Sequence, residues 1–270
     1  MSRPPPPRIL AIAGSDSSGG AGIQADIKTI TMLGGYAMTA VTTVTAQNSV
    51  GLQAIAPMSG DVVARQIQSC LDDIGADAIK IGMLHDAGII TSVADTLGDG
   101  DFGPLVLDPV MIASSGAALI DASALETLRG KLFPLATLLT PNLPELGHLT
   151  RRTLATSDDM IAAAQILSEE TGAAVLAKGG HTADQKVIDL LIQPGRDPLY
   201  FDHARIDTPH THGTGCTLSS AIATLMGHGQ SLENAVRLGR NFVLRAIEAA
   251  PGYGAGNGPL GHQAVRSIAD

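Results

Sequence analysis

Apolar positions along this chain come in short unbroken runs separated by stretches with helical spacing. Ile9–Ala13 is the first run and predicts a strand. Behind a Gly/Ser loop, Ile23, Ile27 and Ile30 recur at i, i+4 and i+7 and predict a helix, and Ala37–Thr45, rich in β-branched residues, predicts the next strand. The alternation continues with a helix near Asp61–Asp72, a strand at Ala78–Ile81, a helix near Asp86–Leu97 and a strand at Leu105–Leu107. A helix near Ala122–Lys131, a strand at Thr137–Leu139, a helix at Asp158–Ser168 and a strand at Ala173–Ala177 follow. Strands that are apolar throughout, rather than at every second position, indicate a parallel sheet covered on both faces. The pattern then changes: Lys186–Gln193 and Leu199–Ile206, joined by the turn-rich Pro194–Pro198, predict an antiparallel hairpin at one sheet edge. Leu218, Ala221, Ile222 and Leu225, then Ala235, Leu238 and Phe242, mark two closing helices. The expected architecture is α/β: a three-layer α/β/α fold around a mostly parallel central sheet with an antiparallel edge hairpin, in a single domain over residues 9–270. Four consecutive prolines, Pro4–Pro7, predict that residues 1–8 form an extended, mobile tail.

Composition narrows the classes of partner. With 17 basic and 26 acidic residues the net charge is −9, so nothing attracts a phosphate backbone or an anionic bilayer, and neither nucleic acid nor membrane is an expected partner. Four Phe, three Tyr and no Trp leave few platforms for stacking exposed bases and imply an aliphatic core. Two cysteines, Cys70 and Cys216, exclude a disulfide scaffold and a multi-thiolate zinc site and suit a reducing compartment. Arg3 and Arg8 precede the five-residue run Ile9–Ala13, which is too short for a secretory signal, since that needs at least about seven apolar residues. No uncharged apolar stretch approaches the roughly 18 residues of a membrane span. A cytoplasmic protein is expected.

The most informative segment is Thr211-His212-Gly213-Thr214-Gly215-Cys216-Thr217, which leads into the helix carrying Leu218. Two glycines allow close approach of a ligand, and the N–H groups of a helix's first turn attract an anion, so Gly213–Cys216 is a candidate oxyanion or phosphate hole; an ordinary Gly-rich helix start reads equally well. It is neither a Walker A loop nor a dinucleotide fingerprint. A thiol at a helix N-terminus is expected to have a lowered pKa, which would make Cys216 a base or nucleophile, whereas a lone cysteine can also be a small buried hydrophobe. The loop Ala13–Gly22 follows the first strand, on the edge of an open α/β sheet where ligands bind. Gln24 and Asp26 lie one turn into the next helix, and Gln47 and Asn48 end the next strand; such amides suit an amino-substituted heterocycle or cap a loop. Asp108 ends a buried strand where a hard cation could sit, and Glu145, three residues after Asn142, supplies a second carboxylate or completes a capping box. Lys178, before Gly179-Gly180-His181, could meet nucleotide phosphates. His210 and His212 share one side of an extended segment, with no third metal ligand nearby.

Taken in order, Ala13–Asp16 with Ser18–Asp26, Thr45–Asn48, Lys80–Leu84, Asp108–Met111, Thr140–Glu145, Lys178–His181 and Thr211–Thr217 resemble the hydroxymethylpyrimidine/phosphomethylpyrimidine kinase family of thiamin biosynthesis, within the ribokinase-like superfamily. The match runs from about Ile9 to Ala250. The resemblance implies two successive phosphoryl transfers from ATP, to 4-amino-5-hydroxymethyl-2-methylpyrimidine and then to its monophosphate. It also implies that Gln47 and Asp26 hydrogen-bond the aminopyrimidine, with Gly14, Met83 and Val110 shaping its slot, and that Cys216 is the base and Gly213, Thr214, Gly215 and Cys216 form the anion hole. By the same resemblance, Asp108 and Glu145 would hold Mg²⁺, Lys178, Asn142 and Thr211 would meet the nucleotide, and the chain would be a homodimer. After Met111 the family often carries Lys-Ser-Gly in a flap, where this chain reads Ile112–Ala118 without the basic residue. Pyridoxal kinases of the same branch use a flap cysteine that is absent here, where Ala113 and Ser114 stand. Pyridoxal phosphorylation is the alternative within the family. A binding protein without turnover and a dinucleotide-dependent oxidoreductase are the alternatives outside it.

Overall fold

The computed structural model describes residues 4–98, 100–111, 120, 122–180 and 185–265. Its strands are β1 (Arg8–Asp16), β2 (Tyr36–Asn48), β3 (Gly51–Pro57), β4 (Ala78–Ile81), β5 (Leu105–Leu107), β6 (Leu138–Leu139), β7 (Ala174–Ala177), β8 (Lys186–Ile192) and β9 (Leu199–Ala204). They form one sheet in the order β3-β2-β1-β4-β5-β6-β7-β8-β9. From β2 to β7 all neighbours are parallel, while β3 at one edge and β8 and β9 at the other run antiparallel. The helices are α1 (Gly22–Met32), α2 (Gly60–Asp73), α3 (Ala87–Leu97), α4 (Ala122–Lys131), α5 (Leu143–Thr150), α6 (Ser157–Thr171), α7 (Thr214–Gly227) and α8 (Leu232–Glu248).

Alternate residues of the central strands feed two separate cores. Leu10, Ile12, Ile79, Ile81, Leu105 and Leu107 face α2 to α6, whereas Ile9, Ala11, Ala78, Val106, Leu138 and Leu176 face α1, α7 and α8. This double burial is why those strands read as unbroken apolar runs.

Three local expectations change. Arg8, expected in the tail, opens β1: its guanidinium and backbone N–H both engage Asp77, and the buried Pro7 accepts from Tyr36 N–H at 2.8 Å. Proline cannot donate to a ladder, but its carbonyl still accepts from one. The apolar pattern does not predict β3, because Gly51–Pro57 lies half-exposed at an edge and has no buried face to impose alternation. Ile27, expected on the buried face of α1, is 40% exposed. The buried face turns instead toward Asp26 and Thr29, both fully inaccessible.

An ion pair lies under that face. Lys80, at the centre of β4 and itself fully buried, donates to both Asp26 oxygens at 2.8 and 2.9 Å, and Ser220 of α7 donates to Asp26 Oδ1 at 2.7 Å. Burial works to lower the Lys80 pKa, but Asp26, together with Cys216 and Asp108, pushes it up to about 12. The ion pair thus pins α1 and α7 to the sheet. Removing one member of such a pair leaves a buried charge uncompensated, at a cost of about 3–5 kcal/mol, whereas removing both charges does not. Lys80→Met should therefore lower the unfolding free energy in urea by about that much, and adding Asp26→Asn should recover most of the loss. A double variant no more stable than Lys80→Met would contradict this.

Candidate active site

The carboxyl ends of the parallel strands open into a cavity of about 880 Å³. Its walls come from the end of β1, the segments after β4, β5, β6 and β7, and the start of α7. It gathers Gly14, Gln47, Met83, Val110, Asp108, Asn142, Glu145, Lys178, Thr211, Gly213, Thr214, Gly215 and Cys216, residues that lie far apart in the sequence. Asp26 is not among the lining residues: its oxygens are occupied by Lys80 and Ser220 behind the wall. Asp26, expected to meet an aminopyrimidine, is buried here and bonded to Lys80 and Ser220.

Backbone geometry explains the glycines of the α7 start. Gly213, the helix N-cap, has φ +88°, and a Cβ there would fall 1.9 Å from Gly20 O. At Gly215 a Cβ would stand 3.1 Å from Asp108 Oδ2 and 3.3 Å from Lys178 Nζ, so the first turn of α7 lies directly against that ion pair. No side chain caps this turn, which leaves its positive end directed at the cavity.

Beneath it, Lys178 Nζ donates to Asp108 Oδ1 at 2.8 Å, and Thr140 Oγ1 donates to the same oxygen at 2.9 Å. Burial acts to lower the Lys178 pKa, but Asp108 and Glu145 outweigh it and move it up. Glu145 forms the capping box of α5: Asn142 N–H donates to its Oε2 at 2.8 Å, and its own N–H donates to Asn142 Oδ1 at 2.9 Å. Capping and cavity lining coincide in this residue. Burial, reinforced by Asp108 and opposed by Lys178, raises the Glu145 pKa to about 7.

Cys216 occupies the third residue of α7, yet its pKa moves opposite to the expectation. Burial raises it to about 11, with Asp26 and Asp108 adding to the rise and Lys80 and the Gly22 N–H opposing it. The helix terminus favours a thiolate only where the surroundings do not strip its solvation, and here they do.

On the opposite wall, Gly14 is held by space: a Cβ would come 2.4 Å from Thr43 Oγ1. Two residues that motif reasoning leaves without a role, Asp16 and His212, meet there. Asp16 accepts from the N–H groups of Ser18, Gly20 and Ala21 and faces His212 Nε2 at 2.9 Å; His212 Nε2 in turn lies 3.4 Å from Gln47 Nε2. Burial would raise the Asp16 pKa, but these donors bring it below the usual carboxylate range. His212 thus ties the loop after β1 to the segment that leads into α7. A second wall of the cavity, formed by Val187, Val243, Leu244 and Ile247 with Asp189, His203 and Arg205, carries no motif readable in sequence. The flap segment 112–118 and His181 lie outside the described residues. No described helix is long and apolar enough to cross a membrane.

Residues 16–261 match the family model described as phosphomethylpyrimidine kinase. The chain belongs to that family. A hydroxymethylpyrimidine/phosphomethylpyrimidine kinase of Bacillus subtilis is 40% identical over 259 residues, covering 96% of each chain. Among solved structures, a Bacillus subtilis pyridoxal kinase in an ADP complex superposes with a TM-score of 0.88 at 36% identity, covering 97% of this chain and 99% of that one. A Clostridium difficile phosphomethylpyrimidine kinase superposes with a TM-score of 0.78 at 37% identity, over 89% and 99%. The family's parallel sheet with an antiparallel edge is the architecture expected from the sequence.

Because Glu145 binds its proton more tightly in the folded chain, its contribution to stability is complete below about 4.5 and is lost as pH rises through about 7. Without divalent cations, the unfolding free energy should fall between pH 5 and 7.5, and Glu145→Gln should remove that component. An identical slope in both proteins would place the Glu145 pKa elsewhere.

Proposed function

We propose that this chain is an ATP-dependent kinase that phosphorylates 4-amino-5-hydroxymethyl-2-methylpyrimidine and then its monophosphate, the two steps that deliver the pyrimidine diphosphate for thiamin. The observation that carries this reading is the uncapped α7 N-terminus lying against Lys178 and Asp108 in a cavity with Gln47 and Met83 on its far side. Phosphoryl transfer demands placement and neutralisation of the phosphoryl oxygens more than covalent help. The N-terminal end of α7, which no side chain caps, and the Lys178 ammonium supply that positive potential. Lys178, Asn142 and Thr211 hold the nucleotide; Gln47 meets the aminopyrimidine, whose slot Gly14, Met83 and Val110 shape. In the reaction the substrate hydroxyl oxygen bonds to the γ-phosphorus, the bond to the β–γ bridging oxygen breaks, and the hydroxyl proton goes to the Cys216 sulfur in its thiolate form.

Asp108 and Glu145 are the residues to hold Mg²⁺. Asp108 commits Oδ1 to Lys178 and Thr140, and the Glu145 carboxylate accepts from the N–H groups of Asn142 and Met111. Two carboxylates suit a hard cation whose other ligands would be phosphate oxygens and water. Bound there, it would neutralise charge on the β- and γ-phosphates.

We further assign the activity to one domain that includes β1 from Arg8, working in the cytoplasm, where two free thiols persist. We also assign it to a homodimer.

A Cys216 pKa near 11 leaves about one thiolate in ten thousand at pH 7, so kcat should climb with pH from 7 to 9. Cys216→Ala should lower kcat about 100-fold, flatten that climb and leave pyrimidine affinity nearly unchanged. Unchanged turnover would remove Cys216 from the reaction. The function itself is tested by ADP release with ATP and Mg²⁺ on hydroxymethylpyrimidine, its monophosphate and pyridoxal, with products identified by mass. Turnover of the first two is expected; a preference for pyridoxal would move the chain to vitamin B6 salvage, and no turnover would leave a binding protein.

A further inference from the structure

Arg240, buried on α8, reaches the antiparallel edge of the sheet. Its Nε donates to Asp189 Oδ2 at 2.7 Å, and one terminal nitrogen donates to Phe201 O at 3.1 Å and stands 2.7 Å from His203 Nδ1. Asp189 Oδ1 accepts from Gly179 N–H at 2.9 Å, and the guanidinium lies 5.6 Å from the Phe201 ring centre, so the cluster joins α8, β8, β9 and the segment after β7. A guanidinium has donors only and keeps its charge. Were Nδ1 of His203 protonated, two N–H groups would oppose each other at 2.7 Å. Nδ1 must therefore accept, and the single ring hydrogen of the neutral imidazole must sit on Nε2. The surrounding charges agree. Burial, then Arg240 and Arg205, disfavour the imidazolium more than Asp189 and Asp202 favour it, and the His203 pKa lies below its ordinary value.

His203 Nε2 has no hydrogen-bond partner among the described residues, nor is it a buried orphan. The ring lines the cavity beside Val187, Val243, Leu244 and Ile247, an apolar wall suited to a flat base. We propose that His203 reads the nucleotide through Nε2–H, donating to an acceptor on the purine–ribose part, with Arg240 as the positioning residue that forbids the other tautomer. This rests on reading the cavity as a nucleotide site and adds the residue that recognises the nucleoside.

Nitrogen spectroscopy of the full chain labelled at histidine tests the tautomer directly, with the His203 signals identified by their loss in His203→Gln. Nδ1 should resonate as an unprotonated nitrogen and Nε2 as a protonated one, and ADP should move the Nε2 signal. In parallel, calorimetric titration with ADP should show His203→Phe binding about tenfold more weakly. His203→Gln, whose amide nitrogen can replace the Nε2 donor, should lose less. A protonated Nδ1, an Nε2 signal indifferent to ADP, or wild-type ADP affinity in His203→Phe would overturn the proposal. If wild-type protein phosphorylates the pyrimidine while any of those results holds, only the His203 assignment falls; if wild-type protein binds no ADP, the nucleotide reading falls with it.

Discussion

Asp108 follows β5, Lys178 follows β7, and their 2.8 Å contact spans the strand between them, with Thr140 after β6 donating to the same carboxylate oxygen. The pair sits beneath Gly215, so close that no side chain larger than hydrogen fits without the neighbours giving way. The entry of α7, and with it Thr214 and Cys216, is thereby set against a fixed ammonium and a fixed carboxylate. The helix end contributes positive potential without a mobile side chain, the ammonium adds a full charge, and the carboxylate limits how positive the site becomes before a ligand arrives. Glu145, whose proton is shared with that balance, is the adjustable member.

Two further buried ion pairs repeat the arrangement around the sheet. Lys80 with Asp26 ties α1 and, through Ser220, α7 to β4; Arg240 with Asp189 ties α8 to β8 and β9. Such pairs add little net stability over apolar packing, but each penalises any other register of the elements it joins. Their shared consequence is geometrical. The helix carrying Cys216 is held at two points five residues apart, by Gly215 against Asp108 and Lys178 and by Ser220 against Asp26.

How much of this could be read from residues alone follows from what each feature depends on. Ala78–Ile81 and Leu105–Leu107 are legible to the residue because both faces are buried, which leaves an unbroken apolar run. The strand Gly51–Pro57 is not, because an edge strand with no buried face imposes no such pattern. The Gly213–Cys216 loop is legible because its glycines answer to local backbone demands. The placement of Asp26 behind the wall, the upward pKa of Cys216 and the tautomer of His203 depend on Lys80, on burial and on Arg240, which reach them across the fold from distant positions in the chain. Spacing in sequence carries no trace of such encounters. Asp16 and His212 stood inside quoted motifs, yet their mutual contact spans 196 residues.

The claim on which the account turns is that the first turn of α7, backed by Lys178, is where the transferred phosphoryl group lies. The most direct measurement is a crystal structure of the protein with ADP, the hydroxymethylpyrimidine and a planar metal-fluoride mimic of the phosphoryl group. The account predicts fluorine atoms within hydrogen-bonding distance of the N–H groups between Gly213 and Cys216 and of Lys178 Nζ, with the pyrimidine hydroxyl in line and the Cys216 sulfur beside it. A mimic bound away from α7, with Lys178 still closed on Asp108 alone, would contradict it.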